Sequence, residues 1–162
     1  MRPALNVCWT ASTAGWTLGQ EKNGGTYFNK YKLIPLTAEQ EALVKGLAEN
    51  SYRPCCDNST FFQDCNHGSG LLGLLELGAS QGLSRKQLAQ ASLAANSFWF
   101  QNHYLTMALY LKAVKGVDWN AVNPEVILSF GYSSATAANQ ISQAAAALNL
   151  NPEGDLSAQC GI

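Results

Sequence analysis

The stretch Ser84–Gly116, SRKQLAQASLAANSFWFQNHYLTMALYLKAVKG, decides the fold. It opens on Ser84-Arg85-Lys86-Gln87, a capping box in which the serine hydroxyl and the glutamine side chain each satisfy a free backbone amide of the first helical turn. Helical patterning then continues to Lys115-Gly116, the longest such run in the chain. Unbroken, at about 1.5 Å per residue, it makes a helix about 50 Å long, the expected spine of the domain. No Asp, Glu, Lys or Arg falls between Lys86 and Lys112, so the run is either a buried central helix or a membrane span. Gln87, Gln90, Asn96, Gln101, Asn102 and His103 are each costly in lipid and favour the buried helix.

Outward from this spine the punctuation is also helical. Thr37-Ala38-Glu39-Gln40 is a second capping box and predicts a helix over 37–50, which Pro54 cannot continue. The stretch from Gly68 to Gly82 is about four turns of Leu-rich sequence carrying Gly70, Gly73 and Gly78, with Gly82 placed to end it. Each internal glycine costs a helix about 1 kcal/mol relative to alanine. Either the glycines permit close approach of a backbone or flat cofactor, or the helix is weak and held by its leucines. Asn123-Pro124-Glu125 reads as a helix start with proline in the first turn, leading to a short apolar stretch that ends at Gly131. Ser134 to Leu148 is a final Ala-rich helix suited to tight packing on the spine.

The first 36 residues, with Gly15, Gly19, Gly24 and Gly25, lack a helical period. Within them Thr26–Ile34 has strand-type composition and room for one short hairpin. The expectation is a mainly α protein: a single helical domain built around one long central helix, with an irregular segment 1–36, a helical body 37–148 and a tail 149–162.

A chain of 162 residues buries enough apolar surface that neither metal nor disulfide is obligatory for folding. Charged residues make up 13%, about half the usual 25%. The net charge of −1 and the absence of any basic run exclude nucleic acid as a partner class. Uncharged helices do suit a protein partner or a homo-oligomer. Met1–Cys8 lacks the apolar run of a signal peptide; localisation stays open, with low charge and cysteines near both ends tilting towards an exported protein.

The distinctive chemistry is Cys55-Cys56-x8-Cys65-x-His67, three thiols and an imidazole within thirteen residues, just before the helix expected at Gly68. Thiols at a helix N-terminus are acidified by unpaired amides and by the helix dipole, which favours metal ligation or nucleophilic chemistry. The spacing is not that of a zinc ribbon, a haem attachment sequence or a ferredoxin, and adjacent cysteines seldom both ligate one ion without strain. Asp64 either orients His67 or caps the following helix. On the spine, His103 and Met107 stand four apart and share a face with Trp99 and Tyr110. A His and a Met joined by a Cys and a His from the loop supply the ligand types of a copper site, or the axial ligands of a haem.

The first functional expectation is a metal-binding protein, copper first and zinc or an iron cofactor next, in electron transfer or metal handling. Its metal ligands are Cys55, Cys56, Cys65 and His67, with His103 and Met107 as further cofactor-binding residues. The alternative is a structural or interaction subunit held by disulfides, Cys55 or Cys56 with Cys65 and others with Cys8 or Cys160; the five cysteines allow two such bonds with one thiol left over. A thiol oxidoreductase is the third reading.

Overall fold

The computed structural model describes residues 30–31, 33–62 and 65–150. Cys8, Asp64, Cys160 and residues 26–29 of the expected hairpin lie outside them; Lys30, Tyr31, Leu33 and Ile34 form turns and bends. The described chain is mainly helical: α1 (Ala38–Ala48), α2 (Asn66–Ser80), α3 (Arg85–Trp99), α4 (Gln101–Lys115), a 3-10 turn at Trp119–Ala121, α5 (Pro124–Ile127), α6 (Phe130–Ser133) and α7 (Ala135–Ala147). No helix among these residues is long and apolar enough to cross a membrane.

Both capping boxes form. The Thr37 N–H donates to Gln40 Oε1 at 2.9 Å while Thr37 Oγ1 accepts from the Gln40 N–H at 3.3 Å, and Ser84 and Gln87 repeat the pattern at the start of α3. Such a cap is worth about 1 kcal/mol. Gln40 also reaches across to donate to the Ala79 carbonyl at 2.8 Å, tying α1 to the last turn of α2.

The expected single spine is two helices. Phe100 leaves the helical region at φ −126°, ψ 51°; its N–H closes α3 on Asn96 O and its carbonyl accepts from Tyr104 N–H to open α4. Neither proline nor glycine causes the break. It falls after Phe98-Trp99-Phe100, residues that lose rotamer freedom in a helix, and the two that flank the joint are taken up by contacts with another helix, described below.

Two apolar clusters make the core, and α3 contributes to both. Val44, Leu47, Ala48, Leu75, Ala79, Leu88 and Ala89 join α1, α2 and the first half of α3. Leu93, Tyr104, Met107, Leu111, Ile127, Leu128 and Ile141 join its second half to α4, α5 and α7. Close approach accounts for Gly78, where a Cβ would stand 2.6 Å from Leu88 Cδ2, whereas a Cβ on Gly73 would meet nothing within 4 Å.

Candidate metal centre

The cysteine segment is irregular but fastened on all sides. Tyr52 donates its N–H to Leu128 O at 2.8 Å, and its carbonyl accepts from the buried Asn96 side chain of α3 at 2.9 Å. Thr60 donates its N–H and its hydroxyl to Ser51 O, and Phe61 N–H reaches Ala48 O. On the other flank the Cys56 carbonyl accepts from Ala135 N–H. Asp57 accepts from both the N–H and the hydroxyl of Thr136, each at 2.8 Å, so its carboxylate closes the first turn of α7. Those bonds hold the Asp57 carboxyl below its usual range, that from the Thr136 backbone first.

α2 begins at Asn66, two residues earlier than expected, and its N-cap is Cys65, whose Sγ accepts from Gly68 N–H at 3.3 Å. His67 therefore lies inside the first turn. Its ring packs against Phe100 at 4.6 Å and Trp99 at 5.5 Å, the residues at the joint between α3 and α4.

Three ligand atoms meet here. Cys55 Sγ, Cys65 Sγ and a ring nitrogen of His67 all lie within 4.8 Å of one another, a cluster that can hold a metal ion. Cys55 Sγ is 3.9 Å from Cys65 Sγ and 3.9 Å from Cys56 Sγ. A disulfide needs about 2.05 Å, so these three cysteines are free thiols. Cys55 is the exposed member; Cys56 and Cys65 are half-buried.

Sequence reasoning missed Arg53, which sits beneath the cluster with no exposed surface. Its Nη2 donates to Cys56 Sγ at 3.0 Å and its Nη1 to Thr60 Oγ1 at 3.2 Å. The available signal was a lone cation directly ahead of Pro54-Cys55-Cys56 in a chain poor in charge.

The electrostatics separate the three sulfurs. Hydrogen bonds from Cys55 and then Cys56, with Gly68 N–H and Arg53 behind them, outweigh burial and hold the Cys65 thiol well below its ordinary value. The hydrogen bonds to Cys56 and Cys65, then burial, push Cys55 strongly up. Cys56 is pulled down by its bond with Cys55 but raised more by Cys65 and by burial. Burial lowers Arg53, yet the charges of Cys65, Cys56 and Cys55 leave it raised overall. Of the three sulfurs, Cys65 is the one whose surroundings favour the thiolate, with the Arg53 guanidinium beside it.

His103 and Met107 have other surroundings. His103 Nε2 donates to the Tyr132 carbonyl at 3.0 Å, which fixes the proton on that nitrogen, and burial lowers its pKa. Met107 is fully buried among Leu93, Leu111 and Ile141. The break at Phe100 puts Trp99 on a different helix from His103, so the expected stripe is divided.

Comparison with family models, with curated proteins and with solved structures finds no match to this chain.

Proposed function

We propose that the protein binds a soft transition-metal ion through Cys55, Cys65 and His67, copper(I) before zinc or iron, and that it carries the ion rather than acting on an organic substrate. The observation that supports this is the convergence of two sulfurs and an imidazole within 4.8 Å. A metal–sulfur bond of about 2.3 Å sets the sulfur–sulfur edge of a tetrahedral site at about 3.8 Å. Cys55 and Cys65 at 3.9 Å already stand at that spacing. Thiolate and imidazole donors select copper, zinc and iron over calcium or magnesium.

Charge favours the monovalent ion: Cys55 and Cys65 ligate as thiolates, and with the Arg53 guanidinium beside them they carry a net charge of −1, which Cu(I) cancels. A divalent ion leaves a net positive charge and calls for a further thiolate, from Cys56, or an added anion. Exposure of Cys55 supports transfer of the ion to an incoming ligand, hence metal handling over electron transfer. Phe98, 73% exposed on α3, offers an apolar contact for a protein partner or a second copy.

The test is anaerobic titration of the reduced, metal-free protein with Cu(I) and with Zn(II), read by native mass spectrometry and by proton release. One equivalent of Cu(I) bound with release of protons is expected, with binding abolished in Cys65→Ser and strongly weakened in His67→Ala. Binding equal to the parent in either variant overturns that ligand assignment.

A further inference from the structure

The three thiols also permit a reaction that uses no metal. We propose that the metal-free cluster reduces a hydroperoxide and closes a Cys55–Cys65 disulfide, leaving Cys56 as a thiol. The sulfurs of Cys55 and Cys65 are 3.9 Å apart, so rotation about the Cys55 side-chain bonds, in an exposed turn, can bring them to bonding distance. Cys55 and Cys65 are ten residues apart in the chain, and Cys65 caps a fifteen-residue helix whose Gly68 amide already points at its sulfur.

Cys56 is the weaker candidate for either role. Consecutive α-carbons lie about 3.8 Å apart, short of the roughly 4.4–6.8 Å that a disulfide spans, so a Cys55–Cys56 bridge is strained. The Cys56 sulfur is also drawn inward, accepting from Arg53 Nη2 at 3.0 Å and lying 3.8 Å from the Asn58 carbonyl.

The step balances. Cys65 Sγ, which at the N-cap of α2 accepts from the Gly68 amide at 3.3 Å, gives its proton to solvent and attacks the terminal oxygen of the hydroperoxide. The O–O bond breaks, the alcohol or water leaves with a proton from solvent, and Cys65 becomes a sulfenic acid. Cys55 Sγ then attacks the Cys65 sulfur, its proton and the hydroxyl departing together as water. Two thiol sulfurs lose two electrons in total, and the peroxide gains them. Metal and disulfide claim the same two sulfurs, so each state excludes the other.

The experiment uses the full chain, reduced and stripped of metal, exposed to hydrogen peroxide and digested without reduction for peptide mass spectrometry. A Cys55–Cys65 cross-link, reopened by dithiothreitol and formed equally in Cys56→Ser, is expected. In Cys55→Ser the reaction stops at a Cys65 sulfenic acid, which dimedone labels. No cross-link, a link through Cys56, or dimedone label on Cys55 in Cys65→Ser overturns the proposal. Because the assay contains no metal, its failure leaves the copper titration untouched, and failure of that titration leaves this result standing.

Discussion

Arg53 lies directly against Gly68: a Cβ at position 68 would stand 3.0 Å from both Arg53 Cζ and Nη2. The guanidinium reaches the sulfurs because the third residue of α2 has no side chain. Glycine here serves the site, and the contrast with Gly73, which has open space, makes the two positions separable. Gly68→Ala gains about 1 kcal/mol of helix propensity but displaces a buried guanidinium, at about 1–3 kcal/mol. A net loss of about 1 kcal/mol with weaker Cu(I) binding is expected. Gly73→Ala raises stability by up to about 1 kcal/mol and leaves binding unchanged. Urea midpoints of the two variants, compared with the parent, check both signs.

Removing the cation itself takes the charged donor away from the sulfurs. Arg53→Met keeps much of the buried stem but deletes the donors to Cys56 and Thr60, and breaking one side of a buried charge pair costs about 3 kcal/mol. If the charge on Cys65 is what Arg53 compensates, adding Cys65→Ser to Arg53→Met costs less than the sum of the single substitutions. Additive losses in a double-mutant cycle by denaturant unfolding count against that pairing.

Local signals were legible in the sequence, and signals that arise only from packing were not. Thr37/Gln40 and Ser84/Gln87 announce two helix starts because a cap needs only residues three apart. Cys55, Cys65 and His67 were recognisable together because they are close in the chain. The break at Phe100 has no proline or glycine to mark it; Trp99 and Phe100 leave the spine where His67, over thirty residues earlier in sequence, packs on them. Arg53, and the bond from Asn96 to Tyr52 O, were not legible for the same reason, since nothing local says which polar side chain turns inward. His103 and Met107 share a helix face as expected, but that face belongs to the α4 core and to the Tyr132 carbonyl.

Asn96 carries the link between the spine and the cysteine segment. Its side-chain amide donates to Tyr52 O, one residue before Arg53, and the side chain is fully buried. Asn96→Ala leaves that carbonyl without this donor inside the protein, a loss of about 2 kcal/mol. Cu(I) affinity falls with it, because the segment bearing Arg53 and Cys55 is released from α3. A variant as stable as the parent shows that Tyr52 O finds another donor. Calorimetry and the copper titration, run on the same sample, read the two effects separately.

His103 makes stability depend on pH in a predictable direction. Burial lowers its pKa from the ordinary 6.5, although the bond to Tyr132 O opposes the shift. The unfolded chain therefore takes up a proton at this position at higher pH than the folded chain does. The stabilisation from a neutral His103 is fully present above about pH 6.5 and is lost as pH falls through the lower folded value. Asp57 and Glu39, both held below their usual ranges, also lose their contributions on acidification, but near pH 4, where carboxylates titrate. Urea unfolding from pH 8 to pH 5 is expected to show the parent losing stability across this window while His103→Gln, which retains an N–H donor for Tyr132 O, changes less. Parallel profiles for the two proteins mean that the acid sensitivity arises at another group.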